Sequence, residues 1–230
     1  RTRKDPMDIF DTFLNAEVMR RTFPMLLQGL WITLQLGAAS IVAGLVLGLG
    51  LSMLRLYGPA PVRFLTRVYI DIFRSIPLLV LLIIVYYALP FVGLRLSPFV
   101  SAMTALTLVS GAYTAEIFRA GIEAIPKGQF EASAALGLSG RQTMADVILP
   151  QAVKIVIPPM TNNSINVVKD TALASVVAMP DLLKQATQAQ ALAANPTPLI
   201  GAAVIYLLLL LPLVRIVGTL EKRFAIGKSR

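Results

Sequence analysis

Apolar positions in this chain fall in long uninterrupted blocks, not at the alternating spacing of a strand. Five such blocks stand out. The first, 26–54, is broken only by Gln28, Thr33, Gln35 and small residues. The others are 76–94, 98–115, 157–179 and 199–218, the last containing five consecutive leucines at 207–211. A helix needs roughly 20 apolar residues to cross a 30 Å hydrocarbon core. Each block has that length except 98–115, which must borrow from its flanks, and 157–179 is the least apolar. The pattern predicts an all-α polytopic membrane protein with about five transmembrane helices. Between Gly111 and Pro150 it changes abruptly. Glu116, Arg119, Glu123, Lys127, Gln129, Glu131, Arg141, Gln142 and Asp146 make this stretch polar, so it must sit in water at the membrane surface. Its two halves read as helices separated by Gly137-Leu138-Ser139-Gly140. Alanines give the first half a strong, slim helix, and Gly137 can adopt the left-handed backbone that ends it. Glu131 would stand on the exposed turn, and Gly140 lets the chain turn into the second helix.

Composition narrows the class. Hydrophobic residues make up 56% and charged residues 14%, against roughly a quarter charged in soluble domains. Cysteine and histidine are both absent, which excludes a disulfide framework, the usual zinc and haem ligands and histidine acid–base chemistry. No metal site is expected. The net charge of +9 fits cationic loops against an anionic leaflet, not a nucleic-acid partner.

Charge also gives a direction. If the loop after the first span, the polar stretch and the C-terminus share a side, that side carries thirteen Lys and Arg residues and the other seven, with Lys169 inside the fourth span. The positive side is cytoplasmic, which leaves the N-terminus outside. Arg1, Arg3 and Lys4 weaken the contrast, but Met7 is a natural start, so residues 1–6 read as a misread upstream extension or a cloning remnant. No signal peptide is visible. The organisation expected is an extracytoplasmic segment 1–25, one membrane domain 26–220 with a cytoplasmic loop 119–154, and a cytoplasmic tail 221–230.

The polar stretch carries a recognisable spacing. Glu131-Ala132-Ser133, Gly137 four residues after that triplet, and Val147-Ile148-Leu149-Pro150 ten residues on resemble the signature of bacterial ABC-importer permeases. Ser133 replaces an alanine and Val147 an isoleucine, both conservative changes. Further segments resemble the polar amino acid branch of that family: 111–122, Pro126-Lys127-Gly128-Gln129, Leu149-Pro150-Gln151-Ala152, Pro158-Pro159, 168–173, 29–34 and 73–80. The resemblance covers almost everything from 25 to 225. It implies a type I ABC importer permease fold with five core spans in the bacterial inner membrane. It implies a second permease subunit, identical or a sister chain, two ATP-binding cassette ATPases, and an extracytoplasmic amino-acid-binding protein. Glu131, Ala132, Ser133, Gly137, Leu149 and Pro150 would belong to a coupling helix docked on the ATPase.

ATP and Mg would then lie on the partner subunits, with no cofactor in this chain. A phosphate-cradling loop needs Gly-x4-Gly-Lys-Ser/Thr and a following helix. The nearest match, Gly227-Lys228-Ser229, has Lys222 where the first glycine belongs. Nor is there a catalytic constellation, so the chain is expected to be a non-catalytic permease.

The fourth span is unusually polar. Asn162, Asn163, Asn166, Lys169, Asp170 and Thr171 lie within it, and such groups belong against protein or a water-filled cavity. They are the candidate substrate path, with Lys169 or the amides meeting a carboxylate and Asp170 an ammonium; a gate or subunit interface is the alternative. Helical spacing puts Asn162, Asn166 and Lys169 on one face. Pro158 and Pro159 predict a new helix start nearby. Glu116 and Arg119 have the spacing of a helical ion pair, and Gly44 and Gly48 that of a close packing contact. The stretch 189–198 reads as an outer loop able to face the binding protein. Opines and other amino-acid derivatives remain open as substrates. A secondary transporter fits poorly, since Asp170 is the only membrane-embedded carboxylate and no inverted repeat is evident.

Overall fold

Helix boundaries follow the breakers in the sequence. The computed structural model describes residues 6–224, and its described residues contain helices and turns but no strand. After α1 (Pro6–Phe13), the Asn15 side chain accepts the Val18 amide at 3.0 Å and opens α2 (Ala16–Tyr57), a side-chain cap on otherwise orphaned donors. Gly58-Pro59 ends α2, and α3 (Ala60–Ser75) stops where Ile76 turns extended before Pro77, as the residue before a proline prefers. Next comes α4 (Leu78–Ile83), which widens at Ile84–Ala88, tightens at Leu89–Val92, and ends at Gly93 with φ +86°. Then follow α5 (Pro98–Glu123), α6 (Lys127–Ala135), α7 (Gly140–Gln142) and α8 (Leu149–Asp170). A tight turn over Thr171–Val177 leads to α9 (Leu182–Ala193) and α10 (Thr197–Phe224).

By length and hydropathy, two helical stretches among the described residues can cross a membrane, Asp11–Tyr57 and Thr197–Glu221. Ala60–Ser75 and Leu78–Val92, sharply bent at a break, are apolar enough only as a pair, which is either one broken span or a re-entrant loop. The expected spans 98–115 and 157–179 are helical over 98–115 and through Asp170, but richer in small and polar residues than Asp11–Tyr57 and Thr197–Glu221. The expected second span, 76–94, is not one regular helix, because Pro77 and Pro90 interrupt its hydrogen bonding.

Two further expectations are corrected. No new helix starts at Pro158-Pro159: both lie inside α8, which begins at Leu149. Helices in apolar surroundings tolerate internal proline when neighbouring groups take up the freed carbonyls. The loop expected at 189–198 shrinks to three residues, since α9 continues to Ala193 and Pro198 sits in the first turn of α10, where its missing N–H costs nothing. The suspected remnant 1–6, apart from Pro6, and the tail beyond Phe224, including Gly227-Lys228-Ser229, lie outside the described residues.

The chain forms two compact units. One takes segments ending at Ser40, Pro77–Leu106 and Val167–Pro212; the other takes Ile41–Ile76, Thr107–Asn166 and the segment from Leu213. The first unit is centred on buried Leu26, Leu182, Ala186 and Ala202. There α2 approaches α9 so closely that a Cβ on Gly29 would lie 2.7 Å from the Leu182 Cα. Asp181, fully buried, caps α9 by accepting the Leu183 and Lys184 amides at 3.2 Å. In the second unit Gly44 and Gly48 of α2 face Ser110 and Thr114 of α5, so this glycine pair packs within the molecule. The Asn163 amide of α8 donates to both hydroxyls, at 3.2 and 3.3 Å.

Candidate coupling interface and transport path

The polar stretch folds as a short helix, a reversing turn and a second helix, with each backbone break satisfied locally. Pro126 precedes α6. At its C-terminal end Gly137 takes φ +74°. The Gly137 amide then donates to the Ala134 carbonyl at 3.0 Å and the Leu138 amide to the Ser133 carbonyl at 3.1 Å. These two bonds form a Schellman closure, which needs a left-handed residue. Ser139 starts the next helix with a reciprocal cap. Its amide donates to Gln142 Oε1 at 2.9 Å, while its hydroxyl oxygen accepts the Gln142 amide at 3.4 Å. The chain then takes one wide turn over Thr143–Ile148, closed by the Leu149 amide on the Met144 carbonyl. Pro150 has no amide to continue the ordinary ladder, and a wide turn is a common answer to such an interruption.

The loop presents one open face. Lys127, Glu131, Ala132, Ala134 and Ala135 are exposed, and Leu136 is 80% exposed. Inside, Ser133 is buried and its hydroxyl donates to the Gln129 carbonyl at 2.7 Å. That bond accommodates the hydroxyl at this alanine position. Phe130 packs on Ile122, Ile125, Ile148 and Ala152, and Gln151 ties α8 to α6 through Gln129 at 3.3 Å. Leu149 and Pro150 are exposed. Of the six candidate coupling residues, all but Ser133 therefore lie on the surface, and Ser133 and Gly137 set the backbone that carries the others.

A charge cluster lies where α5 enters the loop. Glu116 accepts from Arg55 at 2.8 Å and from Arg119 Nε at 3.1 Å, while Arg74 stands at 3.8 Å. Arg119 also bonds Glu123. Hydrogen bonding from Arg119, with the added attraction of Arg119, Arg55 and Arg74, holds the Glu116 carboxyl below the usual range although burial opposes it. Arg74 lies over the Tyr113 ring, 5.5 Å from its centroid. The predicted pair Glu116–Arg119 is thus one edge of a larger network. Arg55 and Arg74, 61 and 42 positions from Glu116, left no signal in local spacing.

The fourth-span residues divide. Asn162, Asn166 and Lys169 are exposed on α8. Asp170 is half-buried. Asn163 is committed to Ser110 and Thr114, and buried Thr171, just past the end of α8, donates back to the Val168 carbonyl, 2.6 Å away. No group of acidic residues able to hold a metal occurs among the described residues.

Long apolar helices with a polar helix–turn–helix exposed at one surface define a polytopic membrane subunit. The chain belongs to the family described as binding-protein-dependent transport system inner membrane component, which matches residues 17–226. It is 40% identical over 202 residues to the arginine transport system permease protein ArtQ of Bacillus subtilis (strain 168), covering 87% of this chain and 92% of that protein. It is 37% identical over 215 residues to the probable glutamine ABC transporter permease protein GlnM of the same organism, covering 91% and 98%. A solved structure described as an amino acid ABC transporter with histidines superposes with a TM-score of 0.85 at 33% identity, covering 89% of this chain and 96% of the other. The all-α ABC importer permease fold is thereby established.

Proposed function

We propose that the chain is the membrane subunit of an ATP-driven importer for polar amino acids, coupled to separate ATPases through residues 131–150. The observation that carries this reading is the exposed α6 surface, locked by the Gly137 closure, with Glu131 and Leu136 free on it. The names of the relatives, which include arginine, glutamine and cystine transport, support the substrate class. Five spans would place the N-terminus outside and this loop in the cytoplasm, by the distribution of Lys and Arg. Two ATPases, holding ATP and Mg, would grip the loops of two permease subunits. A binding protein would deliver substrate outside.

When the ATPases close, the loop transmits the movement because α6 is fixed to α8 by Phe130 and the Gln129–Gln151 bond. The path would run along the exposed side of α8, where Asn162, Asn166 and Lys169 offer amides and an ammonium to a substrate carboxylate, with Asp170 beside them. Asn163 fixes that helix on its buried side, and Thr171 closes its end. The test is ATP hydrolysis by the co-purified complex in lipid, with and without the binding protein. The proposal expects stimulation by loaded binding protein; hydrolysis indifferent to it, or transport without any ATPase, would defeat it.

A further inference from the structure

The end of α2, the first half of α3 and the end of α5 border an open cavity of about 520 Å³, walled mainly by Arg55, Arg63, Phe64, Arg67, Arg119 and Glu123. Four guanidinium groups thus meet one carboxylate. Glu116 and Glu123 occupy Arg55 and Arg119. Arg63 and Arg67 remain: both are exposed, neither forms an ion pair among the described residues, and their i,i+4 spacing puts them on one face of α3. Like charges at that spacing repel, and an anion between them would reverse the sign of the interaction.

We propose that this cavity is an anion site that takes a phosphate group, held by Arg63 and Arg67 with Arg55 behind them. The planar fork of arginine matches phosphate oxygens two at a time. The cavity is larger than a bare phosphate needs, and one wall is apolar. Phe64 is 63% exposed at its rim, and Leu65 and Val68 continue an exposed apolar surface along α3. Cationic and apolar side chains together on an amphipathic helix suit a membrane interface. The phosphate could belong to the headgroup of an anionic phospholipid or to a soluble phosphate. The cavity stands apart from the amino-acid reading, and only the lipid source rests on the cytoplasmic placement of α3.

The test titrates the full chain in neutral detergent with phosphatidylglycerol or phosphatidylcholine by native mass spectrometry, and with inorganic phosphate by calorimetry. Wild type retains phosphatidylglycerol over phosphatidylcholine, and Arg63→Gln/Arg67→Gln weakens that binding about tenfold, as expected for lost charge-assisted hydrogen bonds at an open site. Arg63→Lys/Arg67→Lys binds between wild type and the glutamine variant, because the charge remains but the two-point fork is lost. The charge-matched control Arg20→Gln/Arg215→Gln is unchanged. Inorganic phosphate binding that falls tenfold without any phospholipid preference keeps the site and assigns it to a soluble anion. If the double glutamine variant does not fold, Arg67→Gln alone carries the test, with a loss of about threefold. The proposal is overturned if a folded variant binds both probes as wild type does. It is equally overturned if such a variant loses only its co-purifying ATPase, which would make the cavity a protein contact.

Discussion

Replacing Glu116 by glutamine keeps the side-chain length and one acceptor but removes the charge shared by Arg55, Arg119 and, more distantly, Arg74. Arg55 and Arg119, with side chains 19% and 24% exposed, would then face one another across a neutral amide. Breaking a fully buried pair costs about 3–5 kcal/mol, whereas an exposed pair is worth about 0.2–1 kcal/mol. A carboxylate one-fifth exposed lies between, at about 1–3 kcal/mol once screening is allowed for. In a chain of 230 residues, that lowers Tm by roughly 2–8 °C. The pH dependence has a definite sign. Because the arginines hold the Glu116 carboxyl below its unfolded value, its contribution is complete above about pH 4.3 and fades as pH falls through the folded value. Wild type and Glu116→Gln should therefore differ most near neutrality and converge in acid. Scanning fluorimetry of both chains in detergent from pH 7.5 down to pH 3.5 measures this. A neutral-pH gap below about 1 °C, or one that widens in acid, would refute the reasoning.

Other substitutions separate packing from coupling. Gly137→Ala meets no neighbouring atom but must hold φ +74°, so it should destabilise the loop by about 1 kcal/mol and reduce stimulated ATPase activity; Gly137→Asp should abolish coupling with normal membrane insertion. Glu131→Lys alters only the exposed face, so melting should stay at the wild-type value while ATPase coupling is lost. Gly48→Val drives a Cβ to 2.4 Å from Thr114 and 2.8 Å from the Gly111 carbonyl, an overpacking cost of about 3 kcal/mol visible as a large fall in Tm. Gly50→Ala, with open space around it, should leave Tm unchanged or slightly raised, and an equal loss for both glycines would contradict the packing described.

What the sequence revealed depended on whether the cause was local. The apolar blocks and the glycine turn are written in neighbouring residues, so the helices and the Gly137 closure were legible. Gly44 and Gly48 were also legible as a contact, though Ser110 and Thr114 as their partners were not. Proline misled in both directions. Pro158 and Pro159 were read as a start but lie within α8, and Pro198 was read as loop although it sits in the first turn of α10. Its effect depends on whether the missing hydrogen bond is needed at that position. Polarity at 161–171 marked an unusual helix but did not separate Asn163, committed to Ser110 and Thr114, from exposed Asn162 and Asn166. The arginine-lined cavity is assembled from three helices, so the local Arg63–Arg67 spacing on α3 did not announce it.

Uptake into proteoliposomes tests the central claim most directly. The reconstituted permease, ATPase and binding protein would be offered a panel of labelled acidic, amide and basic amino acids, together with an opine. The account predicts accumulation of at least one polar amino acid that requires both ATP and the binding protein and disappears with Glu131→Lys. Accumulation of the opine alone would contradict the amino-acid assignment. No ATP-dependent uptake of any compound, or uptake undiminished by Glu131→Lys, would contradict the account of how this subunit is driven.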